Sequence, residues 1–283
     1  MKVSVYSLIL PEFTFEEQVG LLRDIGYDGI EIRVCDIAAE HMGKPYSSWG
    51  NHKDPIGPSN LAASVPRLKR ATAAAGVEIN ALGTYVNLRD PAGFDAIAAA
   101  AVELGARMVR VNSPWWAEGR EPYDQLLAIA TAGLETVEES AKRRGVRAIL
   151  EIHHGSIASS ASAARRLFEG FDPEAVGAIL DPGNMVHEGF ETWAKGIDIL
   201  GPYLAHVHVK NAVWALKDKP AGGPFAWESK NARLREGQAN WGEIAGALKA
   251  AGYTGWYSIE DFAEMPIREK LEDDLAFLKA LTA

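Results

Sequence analysis

Short apolar runs rich in Ile, Val and Leu alternate along this chain with stretches whose apolar residues recur at helical spacing. The runs predict strands at 3–8, 29–34, 77–83, 106–112, 147–153, 176–181, 204–210 and 255–260. Their nearly continuous apolar character is that of strands buried on both faces of a parallel sheet. The intervening patterns predict helices at 14–25, 60–75, 94–104, 122–144, 159–169, 191–200, 240–251 and 267–281. The last carries Leu271, Leu275 and Leu278 on one face, with Glu and Lys between them. Gly26, Gly76, Gly145 and Gly252 stand where helices should stop before the next strand. Eight strand–helix units without a break in composition argue for a closed (β/α)8 barrel over a doubly wound sheet. A single domain over residues 1–283 is expected, with no linker and no low-complexity segment. The units repeat in structure and not in sequence.

Two connections exceed the roughly two to six residues of a plain βα loop. One is CDIAAEHMGKPYSSWGNHKDPIGPSN, after the second strand; the other runs from Ala212 to Ala239, after the seventh. Both follow the carboxyl ends of strands, the face where barrels of this kind bind ligands. They hold Trp49, Trp214 and Trp227, and the loop after the fourth strand holds Trp115 and Trp116. Five of the eight tryptophans thus map to one end. Their faces suit a sugar ring; packing of the loops or a subunit contact is the alternative. The Ala212–Ala239 loop is expected to close part of a pocket, with at least one of Trp214, Trp227, Arg233 or Arg235 facing the substrate.

The length of 283 residues suits one barrel, usually about 250 residues. Cys35 is the only cysteine, so no intrachain disulfide can form and a reducing, cytoplasmic setting fits. The segment MKVSVYSLILPEFTFEEQ does not read as a signal peptide. No window approaches the roughly 18 apolar residues of a membrane span. A net charge of −9 opposes binding to a nucleic-acid backbone.

Four of the strands end in potential metal ligands: ILEIHHG at 149–155, AILDPGN at 178–184, AHVHVKN at 205–211 and WYSIEDF at 256–262. The candidates are Glu151, Asp181, His208 and Glu260. Strand ends meet on one face of a parallel barrel, so these residues can converge. One buried glutamate is as readily an ion-pair partner; three carboxylates together repel unless a cation compensates. Three carboxylates and an imidazole suit a hard divalent ion. Alternation places Glu151 with His153 on one face, His206 with His208 and Lys210, and Ser258 with Glu260.

The motifs LEIHHG, LDPGN, HVHVKN and SIEDF resemble those of the xylose isomerase-like TIM barrel superfamily, sugar isomerases and epimerases that also include endonuclease IV. The resemblance covers essentially the whole chain. It implies that Glu151, Asp181, the second histidine of the pair (His208) and Glu260 bind one divalent ion, Mn²⁺ before Mg²⁺, Co²⁺ or Zn²⁺. It also implies a homo-oligomer, a dimer or tetramer. His206, two positions deeper, is expected to be hydrogen-bonded or packed beneath the site. His153 is a candidate substrate contact or a structural histidine. Asn184, a further candidate substrate contact, stands where several members place a histidine. Lys210, toward the rim, is expected either to hold a substrate oxygen or to pair with a loop carboxylate.

Such a centre can chelate a carbonyl and its neighbouring hydroxyl and stabilise an enediolate. Glu151 and Glu260 are then the candidate bases that remove and return a carbon-bound proton. The expected function is a metal-dependent sugar or keto-sugar isomerase or epimerase acting on a small carbohydrate. A lyase on the same scaffold, a sugar dehydratase or a keto-glycoside-cleaving enzyme, is the alternative. A non-catalytic sugar-binding barrel is a third. Asn184 and the acidic charge oppose an abasic-site endonuclease.

Overall fold

The computed structural model describes residues 1–116, 121–219 and 222–282. Eight parallel strands close into a barrel: β1 (Lys2–Tyr6), β2 (Gly29–Val34), β3 (Glu78–Thr84), β4 (Met108–Val111), β5 (Arg147–Glu151), β6 (Val176–Leu180), β7 (Leu204–Val209) and β10 (Trp256–Ile259). Around the barrel they run β1-β10-β7-β6-β5-β4-β3-β2. Every expected strand is present. Most end slightly sooner than the apolar runs do, because the backbone turns into the βα loop while its residues stay buried. β8 (Ala212–Asp218) and β9 (Ala226–Asn231) form a separate antiparallel hairpin inside the long connection after β7. That connection reads as a loop from sequence because both hairpin strands are largely exposed and the second, AWESKN, is mostly polar.

The helices that cover the barrel are α1 (Phe15–Ile25), α2 (Leu61–Ala75), α3 (Phe94–Leu104), α4 (Tyr123–Arg144), α5 (Ala161–Leu167), α7 (Trp193–Leu200), α8 (Trp241–Ala250) and α9 (Ile267–Thr282). α1 starts on a capping box, with Thr14 accepting from the Glu17 N–H and Glu17 accepting from the Thr14 N–H. It stops at Gly26, whose φ of 98° is left-handed and favours glycine. Gly76 and Gly145 end α2 and α4 in the same way, whereas Gly252 lies one residue beyond the Ala251 cap.

A further short helix, α6 (Pro182–His187), was not expected. Its P-G-N start reads as a turn, yet Pro is well placed in a first helical turn and Asp181 caps it. Outward-facing Val3, Val5, Ile30 and Ile32 pack under the helices in the main core. The inside of the barrel is partly polar: Tyr6, Glu31, Arg110, Glu151, His206 and His208 are all buried. Among the described residues no helix is long and apolar enough to cross a membrane.

Candidate metal centre and pocket

Four neighbouring strands, β5, β6, β7 and β10, bring Glu151, Asp181, His208 and Glu260 together. One potential ligand atom from each lies within 4.8 Å of the others. His208 Nδ1 stands 3.2 Å from Glu151 Oε1, 3.5 Å from Glu260 Oε2 and 3.7 Å from Asp181 Oδ2. Adjacent ligands held about 2.0–2.2 Å from one ion lie about 2.8–3.6 Å apart, so this spacing is close to that of a coordination shell. Asp181 divides its oxygens. Oδ1 accepts the Asn184 N–H at the start of α6, and Oδ2 faces the cluster.

Charge supports the same reading. Glu31, Glu151, Asp181 and Glu260 are four buried carboxylates. Among the described residues, Arg110 and Lys210 are the fixed cations that touch them. With the imidazoles neutral, as ligation by His208 requires, an excess of two negative charges remains, which one divalent cation would cancel. Burial raises the Glu151 carboxyl, but Arg110 and then His208 outweigh it and hold it well below the ordinary range. Burial likewise opposes, and Lys210 and His208 outweigh, ionisation of Glu260, which also lies low. Burial lowers His208, and the surrounding carboxylates, Glu31 foremost, more than reverse it.

Each glutamate has its own cation. Glu151 Oε2 lies 2.8 Å from Arg110 Nη2, an ion-pair contact without hydrogen-bond alignment. Lys210 Nζ lies 3.2 Å from Glu260 Oε2 and 3.5 Å from Asp181 Oδ2. Lys210 thus pairs with the clustered carboxylates and not with a loop carboxylate. Asn184 is fully buried; its amide donates to Glu151 Oε1 and its oxygen accepts from Lys210. Its side chain is spent inside the protein instead of being presented to the cavity. His206 lies beneath the cluster, as expected, with Nε2 3.1 Å from Glu31 Oε2.

Glu151, Glu260, Lys210 and Arg110 form the floor of a cavity of about 570 Å³. One wall is a run of stacked rings. Trp115 meets His153 edge-on at 5.0 Å, His153 stacks on His154 at 4.4 Å, and His154 lies 4.6 Å from His187. Burial, then the neighbouring His154, pushes His187 down to about 4, so that ring is neutral at pH 7. His153 Nδ1 lies 2.7 Å from the His154 carbonyl oxygen, which makes it the donor and, in the neutral ring, leaves Nε2 as an acceptor. The other wall is Trp49 stacked on Phe262, at 5.4 Å.

The hairpin closes part of the cavity with Ser229, Lys230 and Asn231. Trp214, Trp227, Arg233 and Arg235 do not line it, contrary to the sequence expectation. Trp214 Nε1 donates to the Val186 carbonyl, and both arginines pair with Asp273 on α9. Two other depressions, around Arg147, lie at the amino ends of the strands and away from the ligand cluster. Sequence reasoning missed Glu31, Arg110, His154, His187 and Phe262. Glu31 and Arg110 had one usable signal, a lone charge within an apolar strand.

The fold and this cluster place the protein in a known class. Residues 19–281 match the xylose isomerase-like TIM barrel family, and the chain belongs to it. Among curated proteins it is similar to inosose dehydratase 2 of a Bacillus cereus strain, 26% identical over 136 residues, 45% of this chain and 44% of that protein. It is also similar to the inosose dehydratase of a second B. cereus strain, 26% identical over 157 residues, 53% and 49% of the two chains. The match therefore spans about half the length of these relatives. Two solved structures share the fold over 99% of both chains. They are the probable 3-DHS dehydratase AsbF of Bacillus anthracis (TM-score 0.74, 16% identity) and the 3-keto-D-glucoside 4-epimerase YcjR of E. coli (TM-score 0.73, 18% identity).

Proposed function

We propose that this protein is a divalent-metal-dependent enzyme that removes a proton next to a carbonyl of a small carbohydrate and returns it as an isomerase or epimerase. The observation that carries this reading is the placement of Glu151 and Glu260. Both belong to the ligand cluster, both reach the cavity floor, and each is backed by its own buried cation. Glu151, Asp181, His208 and Glu260 would hold the ion, with Mn²⁺ or Mg²⁺ suited to three oxygens and one nitrogen. A bound ion supplies Lewis-acid polarisation of the substrate carbonyl.

The protein's own groups do the rest. One glutamate takes the proton from the carbon beside the carbonyl. The other, once it has taken up a proton from solvent, gives it back, to the opposite face for epimerisation or to the neighbouring atom for isomerisation. Lys210, part of the floor, orients a substrate oxygen, and the lone pair of neutral His153 Nε2 accepts a substrate hydroxyl. Asn184 keeps Glu151 and Lys210 in register. The ring walls exclude water and offer flat apolar faces to a sugar.

A second reading is favoured by the curated relatives, both named inosose dehydratases. Here the same proton loss is followed by departure of a β-hydroxyl as water. A panel of aldoses, ketoses, 3-keto sugars and inosose with Mn²⁺ in D₂O, followed by NMR, separates the readings. Deuterium at the α-carbon with a new epimer or ketose supports the first; loss of water supports the second. Binding without exchange would leave a sugar-binding barrel and refute both. Glu151→Gln and Glu260→Gln should each lose at least about a hundredfold in turnover. A near-normal rate in either, with metal content confirmed, would eliminate the two-base mechanism.

A further inference from the structure

Glu31 stands on β2, across the barrel interior from β7, and is fully buried. Its Oε2 lies 3.1 Å from His206 Nε2 and 3.2 Å from His208 Nε2, and its Oε1 lies 3.4 Å from the latter. A carboxylate only accepts hydrogen bonds, so both imidazoles must turn an Nε2–H toward it. For neutral His208 this leaves Nδ1 as the atom with the lone pair. Nδ1 is the nitrogen that faces Glu151, Asp181 and Glu260. The Tyr6 ring covers His208, with centroids 5.7 Å apart and planes 24° from parallel. Ring rotation is therefore blocked on that side, and the hydrogen bond to Glu31 sets the remaining freedom. His206 contributes from below by holding the same Glu31 oxygen.

We propose that Glu31 is a positioning residue for the metal centre: it fixes His208 as the Nε2–H tautomer with Nδ1 directed at the three carboxylates, and His206 fixes Glu31. The inference rests on the metal centre proposed above. A ligand imidazole whose far nitrogen donates to a carboxylate is both oriented and made more basic, and loss of such a partner commonly costs about 10–100-fold in metal affinity. The rival arrangement is a metal held by Glu31, His206 and His208 themselves, whose potential ligand atoms also lie within 4.8 Å of one another. It would draw on His208 Nε2 in place of Nδ1.

The test uses the full-length protein, with Zn²⁺ and Mn²⁺ as probes. Calorimetric titration should show one equivalent of metal bound by the wild type. Glu31→Gln should bind the same single equivalent about 10–100-fold more weakly, with an unchanged circular dichroism spectrum. Glu31→Asp should recover part of the loss. Histidine ¹⁵N NMR of the Zn²⁺-loaded wild type should show His208 coordinated through Nδ1 and protonated at Nε2, and it decides the matter even if Glu31→Gln does not fold. Coordination through Nε2 would overturn the proposal. So would wild-type affinity in a folded Glu31→Gln, or a second metal equivalent that disappears with Glu31. A wild type that binds neither metal would overturn this inference and the metal centre together, whereas a metal-binding wild type with an indifferent Glu31 overturns this inference alone.

Discussion

Asp274→Asn should stabilise the protein, and increasingly so as pH rises. Asp274 on α9 is 3% exposed and faces Asp261, itself 1% exposed and next in sequence to Glu260. Lys270 lies beside them, donating to the Asp261 and Ala263 carbonyls. Burial, then the Asp261 charge, push Asp274 from an ordinary 3.8 up to about 8, against the pull of Lys270. Below pH 3.8 the carboxyl is protonated in both folded and unfolded chains, so it costs nothing. Between 3.8 and about 8 the unfolded chain releases the proton and the folded chain keeps it. Stability then falls by up to about 1.4 kcal/mol for each pH unit, approaching about 4 kcal/mol at pH 7.

Asparagine has the shape of the protonated acid and nothing to release. The variant should therefore match the wild type near pH 4 and exceed it by a few kcal/mol at pH 8. The assay is thermal or urea unfolding of both proteins at pH 4, 6 and 8 under one buffer ionic strength. A stability difference that does not change with pH, or a variant less stable than the wild type at pH 8, would refute the protonated-carboxyl reading.

Arg110→Met leaves Glu151 buried without its guanidinium, and removing one partner of a buried pair costs about 3–5 kcal/mol. Urea unfolding in the presence of a chelator should show that loss, and a change below about 1 kcal/mol would mean the pair is not stabilising. Gly183→Ala would set a Cβ 2.5 Å from Lys210 Cγ, so the lysine must move away from Asp181 and Glu260. Turnover should fall about 10–100-fold while the melting temperature stays near that of the wild type; unchanged kcat would remove Lys210 from the mechanism.

Residues marked by their place at the end of a strand were legible in the sequence, and charges that interrupt a strand from within were not. Glu151, Asp181, His208 and Glu260 announce themselves because a buried parallel strand is an apolar run, and each stands at the end of one. Glu31 in GIEIRV and Arg110 in MVRV break such runs internally. A lone charge inside a strand has no meaning until its partner is known, and these partners, on β7 and β5, are supplied by barrel closure. His187 reaches the cavity because α6 turns it there, and that helix is too short to leave a period. The Ala212–Ala239 connection lies over the site, as its length after a strand end predicts. Its hairpin was hidden because the strands have weak alternation, and with it the fact that Ser229, Lys230 and Asn231 face inward while the tryptophans do not.

The order of strands explains how one barrel can keep its chemistry and change what it binds. The ligand cluster occupies four adjacent strands, β10, β7, β6 and β5, and Arg110 on β4 borders it. The remaining arc, β1 to β3, contributes no ligand to that cluster. Its interior is filled by the Tyr6 ring, which packs so closely that a Cβ on Gly83 would lie 2.6 Å from it. Above this arc and its β4 border, the loops present Trp49, Tyr85, Asn112 and Trp115 to the cavity. An ion in the cluster would therefore sit to one side of the barrel axis, and a substrate reaching it would extend over the loops after β2, β3 and β4. Among the described residues, those loops contribute nothing to the ligand cluster. Their residues can alter recognition while Glu151 and Glu260 keep their distances to His208, which the barrel strands set together with the Glu31 contact beneath, and not these loops. Exchanging Trp49 or Trp115 should accordingly shift KM among sugars and leave metal affinity unchanged, and a matching loss of metal affinity would show that these loops are not independent of the metal centre.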